Sequence, residues 1–125
     1  MPLIIIRHKP WQRKIATRLA GFLPDIVAPA LTLPERTALD GLVAPKDIIV
    51  WCSESSDSDV HADDLAIVIF AHDFPERKAD LEDQKETILD KVRDVVQAIR
   101  EEDPDEIEIS GFVWLLLFPS AFGSF

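Results

Sequence analysis

The sequence predicts an α+β fold: a doubled β-α-β unit whose four strands form one sheet with two helices, with 1–125 as a single domain. Three observations predict it. Four short apolar runs, at 3–6, 48–52, 65–71 and 107–118, are rich in β-branched and aromatic residues and have strand character. Each half of the chain places one segment of helical period between two of these runs. The halves also echo each other, because Pro45-Lys46-Asp47-Ile48 and Pro104-Asp105-Glu106-Ile107 each deliver a turn into the closing strand of their half.

The first strand, at 3–6, directly follows Pro2. Residues 13–22 then carry Ile15, Leu19 and Phe22 at helical spacing. Pro24 is expected to end or kink this helix and Pro29 to reinforce the break, leaving 32–43 as an irregular connection. The second strand, 48–52, holds Cys52, the only cysteine, so no intrachain disulfide and no thiolate metal cluster is expected. A buried, inert thiol is the default for a cysteine in such a run. The linker 53–64 is acidic and Ser-rich and reads as solvated. After the third strand comes the strongest helix, 81–100, with Leu81, Ile88, Val92, Val95, Val96 and Ile99 on one stripe. Asp80 stands at its N-cap position and Asp83 where a capping box places Glu or Gln.

Composition narrows the function classes. Apolar residues make up 47% and charged residues 29%, which is globular composition. A net charge of −10 argues against nucleic acid or an anionic membrane surface as a general partner. The charge is uneven: residues 1–24 carry five bases and no acid, whereas 73–108 carry fourteen acids and six bases. A basic patch of that kind can collect a small anion. The single cysteine suits a reducing compartment, and the short run 3–6 ends at Arg7 and does not resemble a signal peptide. A cytoplasmic location is expected. His61, Asp63, Asp64, His72 and Asp73 form the one metal-like grouping, and the solvated-loop reading is preferred for it; no metal is expected. Neither a Gly-rich phosphate loop nor a Ser-His-Asp arrangement is present.

Half-exposed strands alternate apolar and polar residues, but these four are mostly continuous hydrophobes, so both faces of the sheet require cover. Two helices can cover one face of four strands. Copies of the same chain are the simplest cover for the other, and a homo-oligomer is expected. Pro2 is the candidate base. If Met1 is trimmed, the chain starts with a secondary amine, for which a free α-amino group titrates near ~7.7–8.0. Burial beside the sheet disfavours its charged form, which suits a base acting near neutral pH.

Pro2 before the first strand, the doubled β-α-β order and the stretch Asp83-Gln84-Lys85-Glu86-Thr87-Ile88-Leu89 together resemble the tautomerase superfamily, which includes the 4-oxalocrotonate tautomerases and relatives of macrophage migration inhibitory factor. The last of these looks like the Glu-Gln-Lys stretch that opens a helix in many members. The length and the apolar C-terminal segment look most like the long, trimer-forming members. The resemblance implies a homotrimer and cofactor-independent proton transfer on a 2-keto or 2-hydroxy-dienoate acid. Pro2 would be the base and Arg13 or Arg77 the anchor of the substrate carboxylate. For the aromatic tail Phe112, Trp114, Phe118, Phe122 and Phe125 core and subunit interface is the preferred reading; its functional alternative is an apolar wall near the Pro2 amine of a neighbouring subunit, with Trp114 the member singled out. Departures from the family pattern are also visible. Gln12 stands where an Arg is frequent, Arg77 is displaced from the usual Gly-Arg, and Ile49 replaces a second-strand Arg. The alternative function is a non-catalytic oligomeric binding or scaffold protein of the same fold. The alternative fold is a ferredoxin-like or dimeric α/β-barrel domain, which shares the same element string and differs in strand pairing.

Overall fold

The computed structural model describes residues 2–33, 43–56, 58–59, 64–102 and 109–118. Within them run β1 (Leu3–His8), α1 (Arg13–Leu31), β2 (Ile49–Glu54), β3 (Leu65–His72), α2 (Pro75–Ala79), α3 (Leu81–Glu102) and β4 (Gly111–Phe118). The sheet order is β2-β1-β3-β4, with β1–β2 and β3–β4 parallel and β1–β3 antiparallel. Each half thus pairs its own two strands in parallel. A ferredoxin-like sheet would insert a strand between them, so that alternative is set aside.

The helices lie on one face. Beneath them Ile4, Ile6, Ile67 and Ile69 are essentially sealed from solvent and pack with Leu19, Leu23, Val27 and Ile88. Burial on β3 alternates strictly, so the same strand presents Ala66, Val68 and Phe70 to the other face. Register aligns that second face into apolar rows. Trp51, Ile5, Val68 and Trp114 form one, and Ile49, Leu3, Phe70 and Leu116 form the next. No described element covers them, and Trp51 and Trp114 are 57% and 56% exposed.

Helix α1 runs on to Leu31, straight through Pro24 and Pro29, where the local pattern placed its end. Each proline removes one intrahelical hydrogen bond at a cost of roughly 3 kcal/mol. The continued turns bury Leu23, Ile26, Val27 and Leu31, each worth about 1.5–3 kcal/mol. Packing therefore outweighs propensity. The buried stripe passes through Leu23 and leaves Phe22 45% exposed, so Phe22 is not a core residue. At the C-terminal end, the Thr32 backbone N–H and hydroxyl both donate to the Ala28 carbonyl.

The segment 75–79, not assigned from the sequence, forms the short helix α2, which Pro75 opens at a first-turn position where its missing N–H costs nothing. Two further expectations are corrected. Strand β2 continues through Ser53 and Glu54, because Arg7 and His8 extend β1 and offer them partners. The linker that follows is tied down in part: Asp59 accepts from the Arg7 guanidinium at 2.8 Å and from Ser56 N–H at 2.7 Å. Those two donors, the backbone one foremost, hold its carboxyl below the usual aspartate range. Cys52 is exposed rather than buried, since β2 is an edge strand and its helix-side residues lie at the margin of the helical cover. Partial desolvation still pushes its thiol pKa up.

Helix α3 follows the expected stripe, with Ile88, Val92 and Ile99 buried. Asp80 supplies the backbone carbonyl that accepts from Gln84 N–H at 2.9 Å, as an N-cap does. Glu82 and Asp83 in the first turn and Arg100 in the last complement the helix dipole. Helices α1 and α3 pack against each other, and an ion pair of 2.7 Å joins Arg18 to Glu102.

Gly111 opens β4 so close to β3 that a Cβ there would lie 2.3 Å from the Leu65 carbonyl oxygen, whereas Gly21 in α1 has nothing within 4 Å. Gly111→Ala should therefore lower unfolding free energy by about 1–3 kcal/mol. Gly21→Ala should raise it by about 0.5–1 kcal/mol through helix propensity. Urea denaturation of both variants checks the pair, and a neutral Gly111→Ala would mean that β4 stands further from β3 than described.

Candidate functional site

Pro2 is buried at the open end of β1. Its carbonyl accepts from Ile49 N–H at 3.3 Å, which fixes it against the start of β2. The registers Leu3–Ile49 and Leu3–Phe70 put the end of β3 beside it, and His72–Phe118 puts the end of β4 at the same rim. Aromatic rings stand at this rim, Phe70 and Phe118 5.2 Å apart and His72 and Phe74 4.5 Å apart, with Phe70 on the face opposite the one that Pro2 shares with Ile4.

Arg77 belongs to the same end but faces inward. It is 2% exposed, and donates through Nη1 to the His72 carbonyl at 2.9 Å and through Nη2 to the Leu31 carbonyl at 2.8 Å. Its guanidinium also stacks 5.1 Å from the centroid of the Phe74 ring. This is a tie between the C-terminus of α1 and the end of β3, with a cation where the helix dipole favours one. Arg77, expected as an anchor for the substrate carboxylate, is buried here with two of its nitrogens on backbone carbonyls.

Arg13 lies elsewhere. Six residues of strand at about 3.3 Å each separate Pro2 from the far end of β1 by about 20 Å, and Arg13 opens α1 beyond that end. Its side chain is 78% exposed and stands 3.9 Å from the Glu54 carboxylate. Trp114 is on the open face in the Ile5 row, whereas Pro2 shares the parity of Ile4, which faces the helices. One chain does not bring Pro2, Arg13 and Trp114 together.

Ile49, not singled out as a site residue, holds the Pro2 carbonyl, and the end of β3 with Phe70 and His72 comes to the same rim. The signal was the strand string itself, but only the antiparallel β1–β3 register assigns the end of β3 to the start of β1. Among the described residues no group of three or more His, Cys, Asp or Glu side chains could hold a metal ion. Of the metal-like grouping, His61 and Asp63 lie outside the described residues, and Asp64 accepts from the Ser110 N–H and hydroxyl.

No family model and no curated protein sequence matches the chain. Solved structures do match. One described as the R7 fused 4-OT wild-type asymmetric trimer aligns over 98% of this chain and 91% of its own, with a TM-score of 0.57 and 12% identity. The fold is tautomerase-like. The crystal structure of native Ps01740 aligns over 94% of this chain and 95% of its own, with a TM-score of 0.55 and 14% identity. In this tautomerase-like frame Pro2 occupies the entrance of the first strand of the doubled unit. Among the described residues no helix is long and apolar enough to cross a membrane.

Replacing Arg77 by Gln removes two charge-assisted bonds to backbone carbonyls and should lower unfolding free energy by roughly 2–4 kcal/mol. Thermal and urea unfolding read this directly. Unchanged stability would mean that Arg77 does not tie α1 to β3 as described.

Proposed function

We propose that the protein is a cofactor-independent tautomerase acting on a 2-keto or 2-hydroxy-dienoate acid, with Pro2 as its base in chains from which Met1 has been removed. One observation carries this reading. In a tautomerase-like fold, Pro2 is buried at the start of β1, held through its carbonyl by Ile49. Its nitrogen takes no part in the ladder. As a free amine the nitrogen accepts the enol hydroxyl proton, and the resulting ammonium delivers a proton to the substrate carbon. Each turnover leaves the amine as it began. A cation beside the developing enolate and carboxylate lowers the barrier.

Arg13 serves that purpose when it comes from a neighbouring copy, since within one chain about 20 Å of strand separates it from Pro2. The site is then assembled between subunits, with Trp114 supplying an apolar wall, and the assembly is a homotrimer. The exposed rows of Trp51, Ile5, Val68 and Trp114 support this association. The second reading, an oligomeric binding protein of the same fold without chemistry, draws support from Arg77. Its guanidinium is engaged by backbone carbonyls and not turned to the surface.

Enzyme whose intact mass lacks Met1 should ketonise the enol of phenylpyruvate faster than buffer. The rate should fall at low pH as the prolyl amine is protonated. Retaining Met1 should abolish it, because an amide nitrogen is not basic, and Pro2→Ala should remove most of the rate while keeping a primary amine. Equal rates for free and blocked termini would give the field to the binding-protein reading. Separately, light scattering at micromolar concentration should report three chains. Trp51→Asp, which places a charge in the exposed apolar row, should shift the population toward monomer. A monomeric parent protein would refute the assembly.

A further inference from the structure

A cleft lies on the helix side at the opposite end of the sheet from Pro2. It has a volume of about 300 Å³. Its strand residues, Leu65 and Gly111, sit at the His8 end of β1, as the register shows. Its walls are apolar, formed by Val92 and Val96 of α3 against Leu65 and Val113 of the sheet, and Arg93 and Arg100 stand along the same helix edge. The two arginines are seven residues apart, about 10 Å along an α-helix, so both face one groove.

Arg100 is the unusual member. Its Nε is shut off from solvent and has no hydrogen-bond partner, and among the described residues Arg100 makes no ion pair. Arg93, by contrast, is exposed and stands 3.4 Å from Asp90. A guanidinium donor removed from water without an acceptor is costly, and an anion in the cleft relieves that cost.

We propose that this cleft binds a monocarboxylate with an apolar body of medium chain length, its carboxylate on Arg100 and its chain against Val92, Val96 and Val113. The volume is at the small end of the ~300–1,000 Å³ typical of ligand pockets, which suits a ligand of this size. A neutral apolar ligand would leave the Arg100 Nε without an acceptor, and an inorganic anion would leave the apolar walls wet. The site is independent of Pro2 and of the chemistry proposed there.

Titrating the full chain, in its native assembly, with octanoate while recording amide NMR spectra tests the proposal. Saturable shifts are expected at Val92, Val96, Ile109 and Val113, with a Kd on the order of 1 mM. Octan-1-ol should bind about 10-fold more weakly, and Arg100→Gln should weaken octanoate by about the same factor. Val96→Trp, which fills the cleft and leaves Arg100 in place, should abolish the shifts. The proposal is overturned by shifts confined to Leu3, Ile49 and Phe70, by equal affinity for octanoate and octan-1-ol, or by an Arg100→Gln protein that binds as before. Absence of saturable binding overturns it as well, including absence because a second copy of the chain covers the cleft.

Discussion

Everything in this molecule follows from a mismatch between four strands with two apolar faces and only two long helices to cover them. Successive side chains of a strand point to opposite faces, and along β1 and β3 both sets are hydrophobic. The helices take the set containing Ile4, Ile6, Ile67 and Ile69. The remaining set, with Trp51 and Trp114 at its outer positions, stays open among the described residues. Apolar area of this kind is what specific association between chains removes from water. Arg13 and Trp114 both lie away from the Pro2 of their own chain, one beyond the far end of β1 and the other on this open face.

Much of the fold was legible because strands and helices differ in period. The runs at 3–6, 65–71 and 81–100 are elements in the structure with only their ends extended. What the local pattern missed has physical causes. Pro24 and Pro29 are strong local signals, yet α1 passes through them because its next turns bury Leu23, Ile26 and Leu31. Cys52 looks like a core thiol from its neighbours, but its exposure depends on β2 being an edge strand. Strand order is a non-local property that a β-α-β-β-α-β string leaves open. Only the parallel partnership of β1 with β2 separates a tautomerase-like sheet from a ferredoxin-like one.

The site was legible in position more than in composition. Pro2 was visible as a residue before a strand, and the structure places it at the rim where β1, β2 and β3 meet. Arg77 was a carboxylate anchor only through the resemblance, and it sits in a polar stretch between a strand and a helix. Its two acceptors, at Leu31 and His72, converge only after α1 has been carried past its prolines and β3 has ended beside it. An arginine that completes a helix C-terminus and one that binds a substrate carboxylate use the same donors, and sequence alone does not distinguish them.

Proline has no N–H, so the pairing of β1 with β2 begins at the Pro2 carbonyl, which accepts from Ile49. The entrance of the sheet is thus fixed by a single carbonyl acceptor: the ladder starts one atom group later than in a strand opened by any other residue, and the alignment of β2 on β1 hangs on Ile49 reaching it.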